Sequence, residues 1–141
     1  MSTPTRKKIL IVDDERDLVQ PLALRLAADG RYEVAVAYDG ADGLSRAVQF
    51  RPDIALIDLA MPKLDGWRLC RSLREDARTR KTKVIIMTAW LSPDLERRAL
   101  AEGVTQLLLK PYKEADLLEA LTADFGIVNA GGGGHAHEDP K

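Results

Sequence analysis

Five polar side chains follow four short apolar runs of the chain, and together they could carry out phosphate chemistry. They are Asp13, Asp14, Asp58, Thr88 and Lys110. Three carboxylates brought together repel one another, and each raises the pKa of the others unless a cation lies between them. A hard divalent ion with oxygen ligands removes this repulsion, and Mg²⁺ is the expected ion where phosphate is present.

The same residue types could transfer a phosphoryl group. A carboxylate can attack phosphorus, which would give an aspartyl phosphate. Such a reaction depends mainly on positioning and on neutralisation of spread negative charge, to which a lysine adds a positive charge and a threonine hydroxyl adds a donor. Each residue alone has a simpler interpretation, since an Asp-Asp pair is most often a solvated turn or a helix cap. Only the combination after successive apolar runs favours a phosphate site.

The apolar runs predict the strands that would position these side chains. Four continuous runs, at residues 9–12, 54–57, 84–87 and 107–109, are typical of strands buried on both faces of a parallel sheet. Residues 32–37 alternate between larger apolar side chains and Glu or Ala, which indicates a strand nearer the side of the sheet.

The stretches between the runs have the apolar spacing of helices. One predicted helix has Ser92 as its cap, Pro93 at its first position and Gly103 at its end. Another, residues 16–29, contains Pro21, which either falls in the first turn or bends the helix. Five strands alternating with five helices predict a doubly wound α/β sheet, in which all strands end at one ligand-binding edge.

Length and composition are those of one globular domain: 141 residues, 45% hydrophobic and 30% charged. The net charge of -1 gives no reason to expect nucleic acid or a membrane surface as a partner. No apolar run approaches the roughly 20 residues of a membrane span, and the amino terminus lacks the apolar core of a signal peptide. We therefore expect a cytoplasmic protein.

We expect three segments: an amino-terminal extension at residues 1–7, one domain at 8–126 and a flexible, glycine-rich tail at 127–141. His135 and His137 form a His-x-His pair, but in a flexible tail we assign them no metal site. Cys70 is expected to pack inside a helix interface. The basic residues 71–83 are interpreted as a solvated helix end and loop.

Four motifs carry a family resemblance. They are Ile11-Val12-Asp13-Asp14-Glu15, Asp58-Leu59-Ala60-Met61-Pro62 with Asp65-Gly66, Met87-Thr88-Ala89, and Lys110-Pro111-Tyr112. In this order and spacing the chain resembles the receiver domain of bacterial two-component response regulators, of the single-domain chemotaxis type. The resemblance covers residues 8–125 and implies a flavodoxin-like (βα)5 fold with a five-stranded parallel sheet in the order 2-1-3-4-5.

The resemblance also implies a role for each site residue. Asp58 would accept a phosphoryl group from the phosphohistidine of a sensor histidine kinase or a histidine phosphotransfer protein. The implied Mg²⁺ ligands are Asp13, Asp14, Asp58 and the backbone carbonyl of Ala60. Thr88 and Lys110 would bind phosphoryl oxygens, and Lys110–Pro111 would be a cis peptide. The domain would be a covalently modified signalling protein with slow self-dephosphorylation, not a turnover enzyme.

The sequence departs from the family pattern at the conformational switch. Many receivers carry Tyr or Phe three residues before the lysine, and that ring turns inward when phosphate pulls the threonine. Here the position is Leu107, and the nearby aromatic residues are Trp90 and Tyr112. We expect Thr88 still to move, with the change relayed through Trp90 or through repacking of the helices.

A second departure concerns the lifetime of the phosphorylated form. In the family, the residues two after the aspartate and two after the threonine influence attack by water. Here they are Ala60 and Trp90, which have no carboxylate or amide side chain to orient a water molecule. We expect the phosphorylated form to persist for hours rather than seconds.

Two other functions remain open. A small Mg²⁺-dependent phosphohydrolase of the haloacid dehalogenase type would carry a second aspartate two residues after the first, where this chain has Ala60. A docking module that never takes phosphate would not need all five polar residues.

A receiver would change its partner binding at its last two helices and last strand, roughly residues 90–125. The target would be a downstream protein or an output domain outside this sequence.

Overall fold

The computed structural model describes residues 6–28, 30–59 and 66–129. Within these ranges the strands are β1 (Lys7–Val12), β2 (Tyr32–Ala37), β3 (Ile54–Asp58), β4 (Lys83–Thr88), β5 (Gln106–Leu109) and β6 (Gly126–Val128). The helices are α1 (Arg16–Ala28), α2 (Gly40–Phe50), α3 (Gly66–Glu75), α4 (Pro93–Ala101) and α5 (Glu114–Thr122). Pro21 lies inside α1, beyond its first turn.

The sheet is parallel throughout, with its strands in the order β2-β1-β3-β4-β5-β6. The predicted α/β class and the order of the first five strands are thus confirmed. All five residues of β3 and the last four of β1 are buried, as continuous apolar runs require when helices cover both faces. We call the edge at which the parallel strands end the carboxyl edge, and the opposite one the amino edge.

The prediction of five strands was wrong by one, because β6 extends the sheet beyond β5. The connection through α5 returns the chain to the outer side of β5, where Gly126 N–H donates to the Thr105 carbonyl at 2.8 Å. Ile127 and Val128, assigned to the flexible tail, belong to this strand, and Val128 is buried. At the other end, Lys7 of the predicted extension is already in β1. Residues 130–141, with His135 and His137, lie outside the described residues.

Two apolar layers hold the helices against the sheet. Helices α1 and α5 pack on one face, through residues such as Leu22 and Leu117, over Ile9, Ile11 and their neighbours. Helices α2, α3 and α4 pack on the other face. Cys70 of α3 is 1% exposed in this second layer, which is consistent with the expected packing role. None of the helices in the described part of the chain is both long and apolar enough to cross a membrane.

Helix α4 has the ends predicted for it. The Ser92 side chain accepts a hydrogen bond from Leu95 N–H at 3.1 Å, Pro93 begins the helix, and Gly103 follows it with a φ of +79°. This geometry suits a capping serine and a glycine in the left-handed region.

A buried carboxylate joins the end of α4 to α3. Glu102 is 6% exposed, and its oxygens lie 2.6 Å from Arg71, 3.6 Å from Arg74 and 3.2 Å from Arg98. The pKa of Glu102 is lowered, mainly by its hydrogen bond with Arg71 and also by its hydrogen bond with Arg98. Burial opposes this shift but is outweighed. Arg71 and Arg74 come from the basic stretch assigned to a solvated helix end; their side chains are 51% and 45% exposed, and in addition both contact Glu102.

Candidate functional site

Three carboxylates meet at the carboxyl edge of the sheet. Asp13 and Asp14 follow β1, and Asp58 is the last residue of β3, which pairs directly with β1. One oxygen from each side chain lies within 4.8 Å of the others. Asp13 and Asp58 are buried, whereas Asp14 is exposed. The three carboxylates therefore lie together, as expected for residues that follow two adjacent parallel strands.

The Asp13 carboxylate is oriented by its own loop. Asp13 N–H donates to the Ala37 carbonyl at 3.1 Å, and Glu15 N–H donates to Asp13 Oδ1 at 3.0 Å. The pKa of Asp13 is raised from 3.8 to about 6: burial is the largest cause and the adjacent Asp58 carboxylate adds to it, while the Glu15 amide and Lys110 oppose the shift.

Lys110 provides the positive charge of the site. Its Nζ lies 3.0 Å from Asp58 Oδ2 and 3.6 Å from Asp13 Oδ2, and its backbone N–H donates to the Thr88 carbonyl at 2.7 Å. Burial alone would lower the pKa of Lys110, but its hydrogen bond to Asp58 and the charge of Asp13 outweigh burial and raise it. The Lys110–Pro111 bond is cis, as the resemblance implied.

The donor set has the chemistry of a hard-cation site. All three grouped side chains offer carboxylate oxygens, and among the described residues one ammonium group, that of Lys110, lies within ion-pair distance of Asp13 and Asp58, so the carboxylates outnumber it. Oxygen ligands with excess negative charge suit Mg²⁺ or Ca²⁺. These residues can therefore hold a divalent metal ion. Ala60, whose carbonyl was expected to be a further ligand, lies outside the described residues.

The Thr88 hydroxyl is bonded to its own loop. Thr88 ends β4, and its Oγ1 accepts from Trp90 N–H at 3.1 Å and lies 3.1 Å from the Trp90 carbonyl, to which it can donate. Trp90 is 76% exposed, so most of its indole lies in solvent. The hydroxyl thus stands at the end of the strand next to Asp58, on β3, but in this state it holds the loop that leads to α4.

The two other residues expected at the switch are packed in opposite layers. Leu107 is 5% exposed in the layer beneath α3 and α4. Tyr112 is half-buried against the layer beneath α1 and α5, with its hydroxyl 3.7 Å from Met87 Sδ. Burial raises the pKa of Tyr112.

One contact beside the site, made by Asn129, was not predicted from the sequence. Asn129, which was assigned to the tail, donates from Nδ2 to the carbonyls of Leu109 at 2.9 Å and of Pro111 at 2.6 Å. These two carbonyls flank Lys110. A lone asparagine after a three-residue strand carries no sequence signal for such a role.

A cleft of about 480 Å³ opens beside Lys110, between α1 and the turn that leads from β5 to α5. Its wall is mostly apolar and includes Leu18, which is 64% exposed. The cleft therefore places apolar surface directly beside the charged groups of the site.

Comparison with known proteins identifies the family. Residues 9–122, most of the chain, match the family model described as the response regulator receiver domain. The chain belongs to this family. Receiver domains are signalling domains of two-component systems, in which response regulators interact with histidine kinases and output domains.

Solved receiver structures share the fold. The chemotaxis protein CheY4 of Vibrio cholerae superposes with a TM-score of 0.78 at 31% identity, covering 83% of this chain and 97% of that one. A CheY-like receiver domain protein from Methanospirillum hungatei gives a TM-score of 0.75 at 28% identity, covering 83% of this chain and 91% of the other. The predicted resemblance to the chemotaxis-regulator type is therefore confirmed.

Curated relatives are longer than this receiver domain. The response regulator PleD of Caulobacter vibrioides is 37% identical over 78% of this chain and 24% of its own length. The DNA-binding dual master transcriptional regulator RpaA of Synechocystis is 34% identical over 82% of this chain and 48% of its own length. The chain thus spans half or less of these relatives, and the match concerns their receiver portion.

Proposed function

We propose that this receiver accepts a phosphoryl group on Asp58 from the phosphohistidine of a sensor histidine kinase or a histidine phosphotransfer protein. The observation that carries the proposal is the 3.0 Å contact between Lys110 Nζ and Asp58 Oδ2, in a group of three carboxylates at the carboxyl edge. A carboxylate that is paired with one cation and surrounded by further acids is suited to become a nucleophile once a divalent ion joins it.

In the proposed reaction an Asp58 oxygen forms a bond to phosphorus while the bond from phosphorus to the donor's imidazole nitrogen breaks. The electron pair of the broken bond returns to the imidazole. Lys110 keeps its proton and donates to a phosphoryl oxygen. Asp13, Asp14, Asp58 and the Ala60 carbonyl would hold Mg²⁺, which supplies neutralisation of the phosphoryl charge when bound.

We propose that the Thr88 hydroxyl exchanges partners on phosphorylation. It would leave the backbone of Trp90 and donate to a phosphoryl oxygen, which frees the loop before α4. Leu107 is already packed in the core, so the change would pass through Trp90 and α4 rather than through an inward-turning ring. Phosphorylated and unphosphorylated forms with the same backbone from residue 88 to residue 103 would contradict this route.

The partner surface is proposed to lie on α4, β5 and α5, with β6 now part of it. An apolar groove of about 380 Å³ runs between α4 and β6. Leu100, Phe125 and Ile127 lie along it and are 72%, 77% and 37% exposed. Exposed apolar side chains in one groove are typical of a protein-binding surface, so phosphorylation would change the affinity for a downstream protein or an output domain here.

The phosphorylated form is proposed to hydrolyse slowly. Neither Ala60 nor Trp90 has a carboxylate or amide side chain to orient water, so the Asp58 phosphate would persist for hours. The decay of the phosphorylated mass in the presence of Mg²⁺ measures this directly. A half-life below a minute would contradict the proposal, and Trp90→Glu provides the matched variant, for which faster decay is expected.

Intact-protein mass spectrometry tests the main proposal. Incubation with acetyl phosphate and Mg²⁺ is expected to add about 80 Da to the parent, one phosphoryl group. Asp58→Asn and addition of EDTA should each abolish the gain, whereas Asp124→Asn, a change at an exposed aspartate on the amino edge, should keep it. No gain in the parent would favour a phosphate-independent docking module. Continuous phosphate release without a stable adduct would favour a phosphohydrolase.

A further inference from the structure

Asn129 contacts the backbone on both sides of the site lysine. A primary amide carries two N–H donors. In Asn129 the nitrogen that carries them lies 2.9 Å from the Leu109 carbonyl and 2.6 Å from the Pro111 carbonyl. Since Lys110 is the residue between these two acceptors, one side chain bridges the turn that carries the lysine.

The position of Asn129 is fixed by strand β6. Val128 pairs in register with Leu108 and is 4% exposed, so the residue before Asn129 is anchored in the core. Asn129 itself has a φ of +73°, a left-handed conformation that Asn adopts more readily than most residues. Asn129 adopts this conformation directly after Val128, the last paired residue of β6. In this conformation its carboxamide contacts the turn that carries Lys110.

Lys110 is also held from its other side. Its backbone N–H donates to the Thr88 carbonyl of β4 at 2.7 Å. The turn is therefore fixed between β4 and Asn129, and the lysine side chain extends from this fixed point to reach Asp58 at 3.0 Å. Because a lysine side chain is long and flexible, a fixed backbone limits the positions that Nζ can occupy.

We propose that Asn129 is a positioning residue for Lys110, and that the same contact couples β6 to the phosphorylation state of Asp58. The inference rests on the proposed function, since it requires Lys110 to bind the phosphoryl group. Coupling between two sites is reciprocal. An event that shifts Lys110 therefore changes the stability of β6, which lines the partner groove, and an event at β6 changes phosphorylation.

Two variants of Asn129 distinguish the effect of its side-chain N–H donors from the effect of its backbone conformation. Asn129→Asp keeps the shape of the side chain but replaces its donors with oxygen. Asn129→Gly removes the side chain and tolerates the positive φ. Val84→Ala is the matched control, because Val84 is buried near the amino end of β4, where its loss lowers stability without removing either contact.

The first measurement is the rate of mass gain with acetyl phosphate at saturating Mg²⁺. Loss of the two hydrogen bonds is expected to slow both Asn129 variants about fivefold, while Val84→Ala keeps the parent rate. The second is amide hydrogen exchange at Ile127 and Val128. Phosphorylation is expected to change this exchange in the parent and not in Asn129→Gly.

The outcomes distinguish the inference from the function on which it rests. Parent-like rates in both Asn129 variants, or equal slowing in Val84→Ala, would overturn the positioning role. If the parent gains mass but the amide hydrogen exchange at residues 127 and 128 is the same before and after phosphorylation, the coupling is overturned. In each of these cases a mass gain that Asp58→Asn abolishes still upholds Asp58 as the acceptor. A parent that gains no mass would overturn the proposed function, and the inference with it.

Discussion

Two buried acidic centres of this receiver have opposite charge balance. At the carboxyl edge, within the part of the chain that the structure describes, three carboxylates face one ammonium group, that of Lys110. At the end of α4, the single carboxylate of Glu102 faces three guanidinium groups. Both centres contain carboxyl groups that are less than a tenth exposed, yet the pKa of Asp13 is raised and that of Glu102 is lowered.

The difference shows that burial alone does not make a binding site. Among the described residues the edge centre has more carboxylates than ammonium groups, a balance that suits a divalent cation. The Glu102 carboxylate is already paired with the arginines around it, and its effect is to tie α4 to α3. Charge balance, rather than depth, separates a centre suited to bind a cation from one that holds two helices together.

The largest effect is expected from Glu102→Gln. This change keeps the shape but leaves three arginines without their carboxylate, and it should lower the free energy of unfolding by about 2 kcal/mol. The arginine side chains are 45–51% exposed, and this solvent exposure keeps the loss below that of a fully buried pair. Urea unfolding at neutral pH measures it. Unchanged stability would show that the Glu102 centre does not hold α4.

A smaller effect is expected from Mg²⁺ at the edge centre. At ten times its dissociation constant the ion should stabilise the parent by about 1.4 kcal/mol, seen as a higher melting temperature than in EDTA. Asp13→Asn should melt higher than the parent in EDTA, because a repelling charge is removed, and should respond little to Mg²⁺. Glu102→Gln should keep the full response. A response that survives in Asp13→Asn would place the ion elsewhere.

Gln106 shows what burial does to an uncharged polar side chain. Its side chain is fully buried in β5, and neither of its amide atoms has a hydrogen-bond partner among the residues that the structure describes. Gln106→Met should therefore raise the free energy of unfolding by about 1 kcal/mol. Gln49→Met, on the exposed face of α2, is the control and should change it little. A destabilised Gln106→Met would indicate that the amide has a partner in solution.

The smallest effect is expected from pH at the Glu102 centre. The folded-state pKa of Glu102 is lowered, so its stabilising contribution is complete above the ordinary value of 4.5 and is lost as pH falls through the lower folded-state pKa. The stability difference between the parent and Glu102→Gln should therefore be constant from pH 6 to pH 8 and shrink in acid. A difference that grows on acidification would reverse the assigned direction.

The site residues were predictable from sequence because parallel strands bring their carboxyl ends together. Asp13, Asp14 and Asp58 directly follow or end apolar runs, so a one-dimensional pattern located them in three dimensions. The cis bond at Lys110–Pro111 followed from the family resemblance in the same way.

Other contacts could not be predicted, because they depend on packing between distant segments. Arg71 and Glu102 are 31 positions apart and meet only when α3 and α4 lie side by side. Strand β6 has three residues, one of them glycine, which is too short for a periodic signal. The Thr88 hydroxyl was placed at the right edge, but its bonds to the Trp90 backbone depend on the course of a loop.

The direction of β6 also decides from which edge the chain leaves the domain. A parallel sixth strand carries the polypeptide back across the sheet, so Asn129 ends beside Lys110, whereas Lys7 begins β1 at the opposite edge. A chain that ended with α5 would leave at the amino edge instead. The described chain therefore ends on the Asp58 side of the sheet. A fluorescent label attached at Lys7, where β1 begins, would lie a full strand length from Asp58.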